Sequence, residues 1–356
     1  MKLLFYINTL GGGGAERVIV NLSNYFSRNS TNEVVLVASY PNENEYFIDS
    51  TVKKVYLSEE RNEDSFLKRN FCCIRELRRI IKAEKPDTAL AFMAEPNFRL
   101  LLSTFGLSLR KIISVRNDPI REYGNFVYRI LSKFLFKYSD LVVFQTQEAK
   151  QFFSKKIQKK SAIIMNQVNE KFFATDIVNK RKEIVTVGSF KAQKNHKMLI
   201  EAFSKISDKI TDNLIIYGEG KLREELEGLI EEKGLTERVF LPGHTSDVIG
   251  SIKGAKVFVL SSDYEGMPNA LLEAMALGVP CVSTDCPCGG PREIINDAEN
   301  GFLVPVSDED FLAKKMLELI NNEELQNKFS RNARKSAEKF KPDKIFCEWE
   351  KVLLNN

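Results

Sequence analysis

Short apolar runs alternate with helical stretches twice along this chain, and that double series confines it to few folds. In the first half, strand candidates fall at residues 3–7, 33–38, 52–57, 87–92, 111–115 and 140–145, with helical patterns between them, as at 15–28, 66–85 and 126–138. The second half restarts the pattern at 183–188, 213–218, 238–241, 256–260, 279–284 and 301–304. Helical stretches at 197–206, 220–233, 270–277 and 308–321 separate those runs. Such alternation closes as a mostly parallel sheet covered by helices on both faces. Two series therefore predict two doubly wound α/β domains, 1–165 and 166–341, with a polar linker at 166–182 and a tail at 342–356. The tail holds the only tryptophan, Trp349, with Phe346 and Val352 at helical spacing. Ligands of such sheets bind beyond the strand C-termini, so a cleft between the two domains is the expected site.

Composition narrows the function classes. A chain of 356 residues that is 43% hydrophobic and 28% charged reads as a soluble globular protein. Six cysteines without framework spacing imply free thiols in a reducing cytoplasm. Two histidines, His196 and His244, with no Cys-x-x-Cys pairs argue against zinc. The apolar start, residues 1–8, runs into glycines and reads as a first strand rather than an export signal. No apolar window approaches membrane-spanning length.

Charge is uneven, with a net of +8 over residues 1–170 and −4 over residues 171–356. Lys68, Arg69, Arg75, Arg78, Arg79 and Lys82 accompany an apolar stripe of Leu67, Phe71, Ile74, Leu77 and Ile81; a second basic run is 155–160. Two readings stay open: an ordinary helix with a solvated basic face, or attraction to an anionic membrane surface or a lipid diphosphate.

The chemistry concentrates at residues 257–276. A buried-strand run, 257–260, leads through Asp263, Tyr264, Glu265 and Gly266 into a helix that Asn269 is placed to cap and Gly278 to close. Glu265 then lies on the loop and Glu273 a turn inside the helix. A helix N-terminus suits a phosphate and adjacent carboxylates suit sugar hydroxyls, a combination that describes a nucleotide-sugar. Without further information, both acids would read as solvated surface groups.

The stretch Asp263-Tyr264-Glu265-Gly266-Met267-Pro268-Asn269-Ala270-Leu271-Leu272-Glu273 resembles the Glu-x7-Glu signature of the retaining family 4 glycosyltransferases, which have the GT-B fold. Other motifs follow the same resemblance. Gly11 to Arg17, which fails the dinucleotide-binding pattern, is similar to the family's donor-side glycine loop and points to Gly12, Gly13 and Gly14. Residues 187–197 resemble the loop where an arginine and a lysine grip the diphosphate. Lys194 matches the lysine, Gly188 precedes it, and Ser189 stands where the arginine is usual. Lys191, Arg17 or Arg116 are the candidate replacements for that cation. Residues 286–295 resemble the element beneath the donor, and Gly243 lies in the loop that borders the base.

The resemblance implies two Rossmann-like domains facing a central cleft, with acceptor on the N-terminal side and donor on the C-terminal side. It implies donor contacts from Gly12, Gly13, Gly14, Gly188, Ser189, Lys194, Gly243, Glu265, Gly266, Met267, Pro268, Asn269 and Glu273. Glu265, Lys194 and Asp118 are the catalytic candidates; Arg116, Asn117 and Asp118 are acceptor-side candidates that read equally as a structural turn. The family's usual histidine in this domain has no counterpart before His196. Asp308 and Asp310 have metal-binding spacing but read as acids at a helix start, so no metal and no cofactor are expected.

The implied activity is transfer, with retention, of a hexose or N-acetylhexosamine from a UDP-linked sugar to a polyprenyl-diphosphate-linked glycan. The wording is nearest capsule, O-antigen or exopolysaccharide enzymes, cytoplasmic and peripheral to the inner membrane face, with no nucleic-acid partner. A nucleotide-sugar 2-epimerase of the same fold and a non-catalytic nucleotide-sugar-binding subunit are the alternatives.

Overall fold

The computed structural model describes residues 1–28, 32–58, 65–178 and 180–354. The chain divides into two compact units, Met1–Gln167 with Asp343–Asn356, and Val168–Pro342. Each is built on one sheet with parallel strands and interleaved helices.

The first unit contains β1 (Lys2–Ile7), β2 (Glu33–Ala38), β3 (Lys53–Tyr56), β4 (Thr88–Phe92), β5 (Arg110–Ser114), β6 (Leu141–Phe144) and β7 (Ser161–Ile163). They lie in the order β3-β2-β1-β4-β5-β6-β7. The central strands read as unbroken apolar runs because helices cover both faces. Strand β7 has no counterpart in the sequence reading; it is three half-buried residues at the sheet edge. On one face, Phe5, Leu36, Leu90 and Ile112 pack with helix Gly14–Arg28 and helix Pro342–Leu353. Helices Phe66–Glu84 and Ala94–Ser103 take the other face, tied to it by Tyr40 Oη to Cys73 Sγ at 3.4 Å and by Arg99 Nη1 to the Tyr6 hydroxyl at 3.5 Å.

The tail thus completes the first core. Trp349 is fully buried, Phe346 stacks on Tyr25 with 4.2 Å between ring centroids, and the Thr88 hydroxyl donates to the Leu353 carbonyl at 3.1 Å. The sequence stripe on helix Phe66–Glu84 splits. Cys73, Leu77, Ile80 and Ile81 turn inward, whereas Leu67 and Phe71 stay exposed.

The second unit contains β8 (Lys182–Val187), β9 (Leu214–Tyr217), β10 (Val239–Gly243), β11 (Ala255–Leu260), β12 (Cys281–Thr284) and β13 (Phe302–Val304), in the order β10-β9-β8-β11-β12-β13. Its core joins Ile184, Ile216, Val257 and Val282 to Leu199 and Phe203 of helix His196–Ser204 and to Met316 of helix Glu309–Ile320. The stretch expected as a polar linker carries helix Glu170–Ala174, whose Phe172 and Phe173 are buried; residue 179 lies outside the described residues. Among the described residues, no helix is long and apolar enough to cross a membrane.

Candidate functional site

In the second sheet, the chain runs outward from β8 to β9 and β10, then returns to the other side of β8 as β11. The loops leaving β8 and β11 therefore diverge at a topological switch point, the position where open α/β sheets bind ligands. These two loops are laced together. The Asp263 amide donates to the Gln193 carbonyl at 2.9 Å, and the Ser261 hydroxyl donates to the Lys194 carbonyl at 2.9 Å. Asn195, in the left-handed region at φ 42°, accepts from the Met198 amide to cap helix His196–Ser204. Its side-chain amide donates to Asp263 Oδ1 at 2.7 Å.

This lacing brings Lys194 and Glu265 together. Lys194 Nζ donates to Glu265 Oε1 at 2.5 Å, and the Ser262 hydroxyl donates to the same oxygen at 2.7 Å. Gln193 Nε2 donates to the Tyr264 carbonyl at 2.9 Å and reaches Glu265 Oε2 at 3.4 Å. With Glu265 only 6% exposed, these donors replace water around its carboxylate. Ser262 and Gln193 carry no motif signal that exposes this role, because each is one polar loop residue among several.

Glu273 is the fifth residue of helix Asn269–Ala276 and is 5% exposed. The expected cap is corrected by one residue. Pro268 occupies the N-cap with no side-chain bond, and Asn269 opens the helix. Proline at 268 brings an extended backbone to the helix mouth, displacing the cap that Asn269 would have formed. Gly278 does close the helix, at φ 70°. Gly266, Met267 and Pro268 are buried between these acids. A Cβ on Gly290 would stand 1.8 Å from the Gly266 carbonyl oxygen, so the 286–295 element needs glycine to underlie this loop.

Around the pair, Gly188 follows β8, and the His196 Nε2 faces its carbonyl at 3.3 Å. Burial lowers the His196 pKa to about 4, so the ring is neutral at physiological pH. Ser189 is half-buried and Lys191 exposed. Gly243 ends β10 at φ 92° beside exposed His244. Cys286 and Cys288 are buried free thiols, and burial raises the Cys286 pKa well above the usual thiol range. The Asp308 carboxylate accepts from the Phe311 amide at 2.9 Å, while Glu309 and Asp310 pair with Lys205, so all three acids act at a helix start.

In the first unit, Gly12 is left-handed at φ 84°, Gly13 follows it, and Gly14 opens helix Gly14–Arg28. The first sheet's own switch point lies between β1 and β4. It is filled by Arg99, 2% exposed, which donates to Asn8 Oδ1 at 2.7 Å, Asn70 Oδ1 at 2.7 Å and Glu95 Oε2 at 2.9 Å. The sequence reading missed this network, since Asn8, Asn70 and the Glu95–Arg99 pair come from three separate segments of the chain.

After β5, Asn117 Oδ1 accepts from the Asp118 amide at 2.9 Å, and Asp118 Oδ1 caps helix Pro119–Tyr123 by accepting from the Ile120 amide at 3.0 Å. Arg116 is 6% exposed, donates through Nη2 to Asn166, and lies 4.5 Å from the Phe92 ring centroid. Its Nε and Nη1 have no partner, nor do Glu122 Oε2 and the side-chain amide of Gln167. Burial lowers the Arg116 pKa to about 9. Burial, then the Asp118 charge, raise the Glu122 carboxyl to about 8 against the opposing pull of Arg116.

That shift has a stability consequence. Between its ordinary 4.5 and about 8, Glu122 holds a proton in the fold that the unfolded chain has released. Stability from this group therefore falls as pH rises toward 8, by at most about 1.4 kcal/mol per pH unit. Glu122→Gln should flatten the pH dependence of the unfolding midpoint between about pH 5 and 8, and should stabilise the protein most at the upper end. Melting curves followed by Trp349 fluorescence test this; equal slopes for variant and parent would contradict it.

Comparison with known proteins fixes the class. Superposed over 99% of the chain, the sucrose-phosphate synthase of Thermosynechococcus elongatus gives a TM-score of 0.86 at 15% identity, covering 98% of its own chain. Anabaena HepE in complex with UDP and glucose gives 0.82 at 16% identity, covering both chains entirely. These likenesses show the fold, which is GT-B.

Two family models span most of it: Glycosyltransferase Family 4 over residues 12–172, and Glycosyl transferases group 1 over residues 167–336. The chain belongs to the family 4 glycosyltransferases. Among its relatives is a Campylobacter jejuni alpha-1,4-N-acetyl-D-galactosaminyltransferase named for a diNAcBac-PP-undecaprenol-linked acceptor. It is 27% identical over 99% of this chain and 98% of its own length. The amylovoran biosynthesis glycosyltransferase AmsD of Erwinia amylovora is 25% identical over 99% of both.

Proposed function

We propose that this enzyme transfers a hexose or N-acetylhexosamine, with retention, from a UDP-linked sugar to a polyprenyl-diphosphate-linked glycan in surface-polysaccharide synthesis. The observation that carries the reading is the buried Glu265 carboxylate, held by Lys194 at the switch point of the C-terminal sheet. That unit takes the donor, and the N-terminal unit, through Arg116, Asn117 and Asp118, takes the acceptor. The name of the Campylobacter relative supports the acceptor class, that of the Erwinia relative supports polysaccharide synthesis, and the UDP complex of HepE supports the nucleotide.

The division of labour follows from charge. As the glycosidic bond breaks, negative charge grows on the departing diphosphate and positive charge on the anomeric carbon. Lys194 is shared between Glu265 and that diphosphate, while amides at the start of helix Asn269–Ala276 add donors. Glu265 holds sugar hydroxyls and orients the anomeric carbon; Glu273 binds the ribose diol. With same-face attack, the leaving phosphate accepts the acceptor's proton, and the lysine and amides supply the charge stabilisation that a metal supplies elsewhere.

The test is an incubation with UDP-sugars and an undecaprenyl-diphosphate-linked acceptor at the inner-membrane lipid composition, with product anomers assigned by NMR. Retained configuration at a rate unchanged by EDTA is expected. Inverted product, loss of activity on chelation, or nucleotide-sugar binding without turnover would each overturn the corresponding part of the proposal.

A further inference from the structure

The switch point of the N-terminal sheet has a polar chemistry of its own. Strand β1 ends at Ile7 and Asn8 follows it, while β4 ends at Phe92. Met93, at φ 77° and ψ 162°, then turns the chain into helix Ala94–Ser103. Residues with a side chain rarely adopt that backbone. The turn sets Glu95, the second residue of the helix, beside Asn8, whose Nδ2 lies 3.5 Å from Glu95 Oε2.

One helical turn on, Arg99 holds both side chains. Its Nη1 donates to Asn8 Oδ1 at 2.7 Å and to the Ser39 hydroxyl at 3.1 Å, and its Nη2 donates to Glu95 Oε2 at 2.9 Å. At 2% exposure this guanidinium is shielded from any ligand, so its part is to place its neighbours. Arginine carries donors only, and it therefore claims the oxygen of the Asn8 amide and one oxygen of Glu95. What remains for a ligand is a donor, Asn8 Nδ2, next to an acceptor, Glu95 Oε1. Among the described residues, the bonds to these two atoms are long: 3.5 Å for Asn8 Nδ2, and 3.4 Å from the Tyr128 hydroxyl to Glu95 Oε1. Asn8 is half-buried and the Glu95 side chain is 30% exposed, so both can be reached.

We propose that Asn8 and Glu95 form a carbohydrate subsite that reads two neighbouring hydroxyls of the acceptor's terminal sugar, with Arg99 as the positioning residue. The inference rests on the acceptor side assigned to this unit under the proposed function. One hydroxyl donates to the carboxylate and the next accepts from the amide, a match to the dual nature of each hydroxyl. A phosphate does not suit the pair, because Glu95 would face it while Arg99 stays covered. The charge-assisted bond to Glu95 supplies affinity. The fixed spacing supplies the choice of sugar, because a site built to bond a hydroxyl rejects an analogue that lacks it.

Saturation-transfer NMR of the full chain with methyl glycosides of hexoses and N-acetylhexosamines, without nucleotide, tests the subsite. At least one glycoside should bind. Removing either hydroxyl of one adjacent pair from it should weaken binding about tenfold or more, whereas removing a hydroxyl outside the pair should not. Glu95→Gln should weaken binding about tenfold, since Arg99 claims the amide oxygen and leaves an NH₂ group where the acceptor stood. Asn70→Ala removes another Arg99 partner, at 2.7 Å, but neither ligand-facing atom, and should bind glycoside as the parent does. No glycoside binding, indifference to every deoxygenation, parental binding by Glu95→Gln, or equal losses in Glu95→Gln and Asn70→Ala would each overturn the proposal. Glycoside binding that follows these rules in a protein that transfers no sugar would support the subsite and count against the transfer reaction.

Discussion

Lys194→Ala should lower kcat by about 10²–10³-fold, which corresponds to roughly 3–4 kcal/mol of lost transition-state stabilisation. Two effects combine. In the proposed reaction the departing diphosphate loses a stabilising cation, and Glu265, 6% exposed, loses its ion-pair partner 2.5 Å away. Stripping one member from a buried ion pair costs about 3–5 kcal/mol in general, though Lys194 is itself a fifth exposed and solvent will reduce that figure. The two effects are separable. Lys194→Met combined with Glu265→Met removes both charges and should recover most of the stability, but not the activity. Lys194→Arg keeps the charge and should retain a measurable rate. Single-turnover rates beside melting temperatures check this; recovery of rate in the double methionine variant would show that the pair is structural only.

Trp349→Ala should destabilise the N-terminal unit by about 3–5 kcal/mol, the range for emptying a fully buried large aromatic site. The indole fills the space between the helical tail and β4, 5.8 Å from the Phe92 ring, and the tail is the last 14 residues of a unit otherwise built from residues 1–167. Its Nε1 has no hydrogen-bond partner, a penalty that a phenyl ring does not carry. Trp349→Phe should therefore cost far less than the change in volume alone implies. Since Trp349 is the only tryptophan, unfolding of the variants must be followed by circular dichroism or hydrogen exchange in β1 and β4. A Trp349→Ala loss under about 1 kcal/mol would mean that the tail contributes little to that core.

The sequence announced most strands because strands covered on both faces need unbroken apolar runs, as in residues 3–7 and 257–260. What it hid was weakly apolar. Strand β7 has only three residues. Helix Glu323–Ala337 buries Gln326, Phe329, Ser330, Ala333 and Ala337, a stripe at helical spacing with one large apolar side chain among small and polar ones. Helix Ala94–Ser103 contains Pro96, which the first turn tolerates and a reader of patterns takes for a break. The stripe of helix Phe126–Leu135 reads as core from periodicity alone, whereas the structure leaves Phe126, Ile130 and Phe134 exposed.

At the site, Glu265, Glu273 and Lys194 were legible through their motifs. Their joining was not, because Lys194 and Glu265 are brought together by the return of β11 to the other side of β8, 71 residues along the chain. The partners Ser262, Gln193 and Asn195 owe their roles to that lacing. Similarly, Asp118 reads as a catalytic candidate from its place after β5, while the structure shows its Oδ1 spent on a helix cap.

Titration calorimetry of UDP against the parent and Lys194→Ala is the most direct probe of the switch-point site. The parent should bind UDP, and the variant should bind it about tenfold or more weakly, as expected when one charge-assisted contact to a diphosphate is removed. Equal affinity in both proteins, or no heat of binding with the parent, would contradict a diphosphate seat built on Lys194 and Glu265.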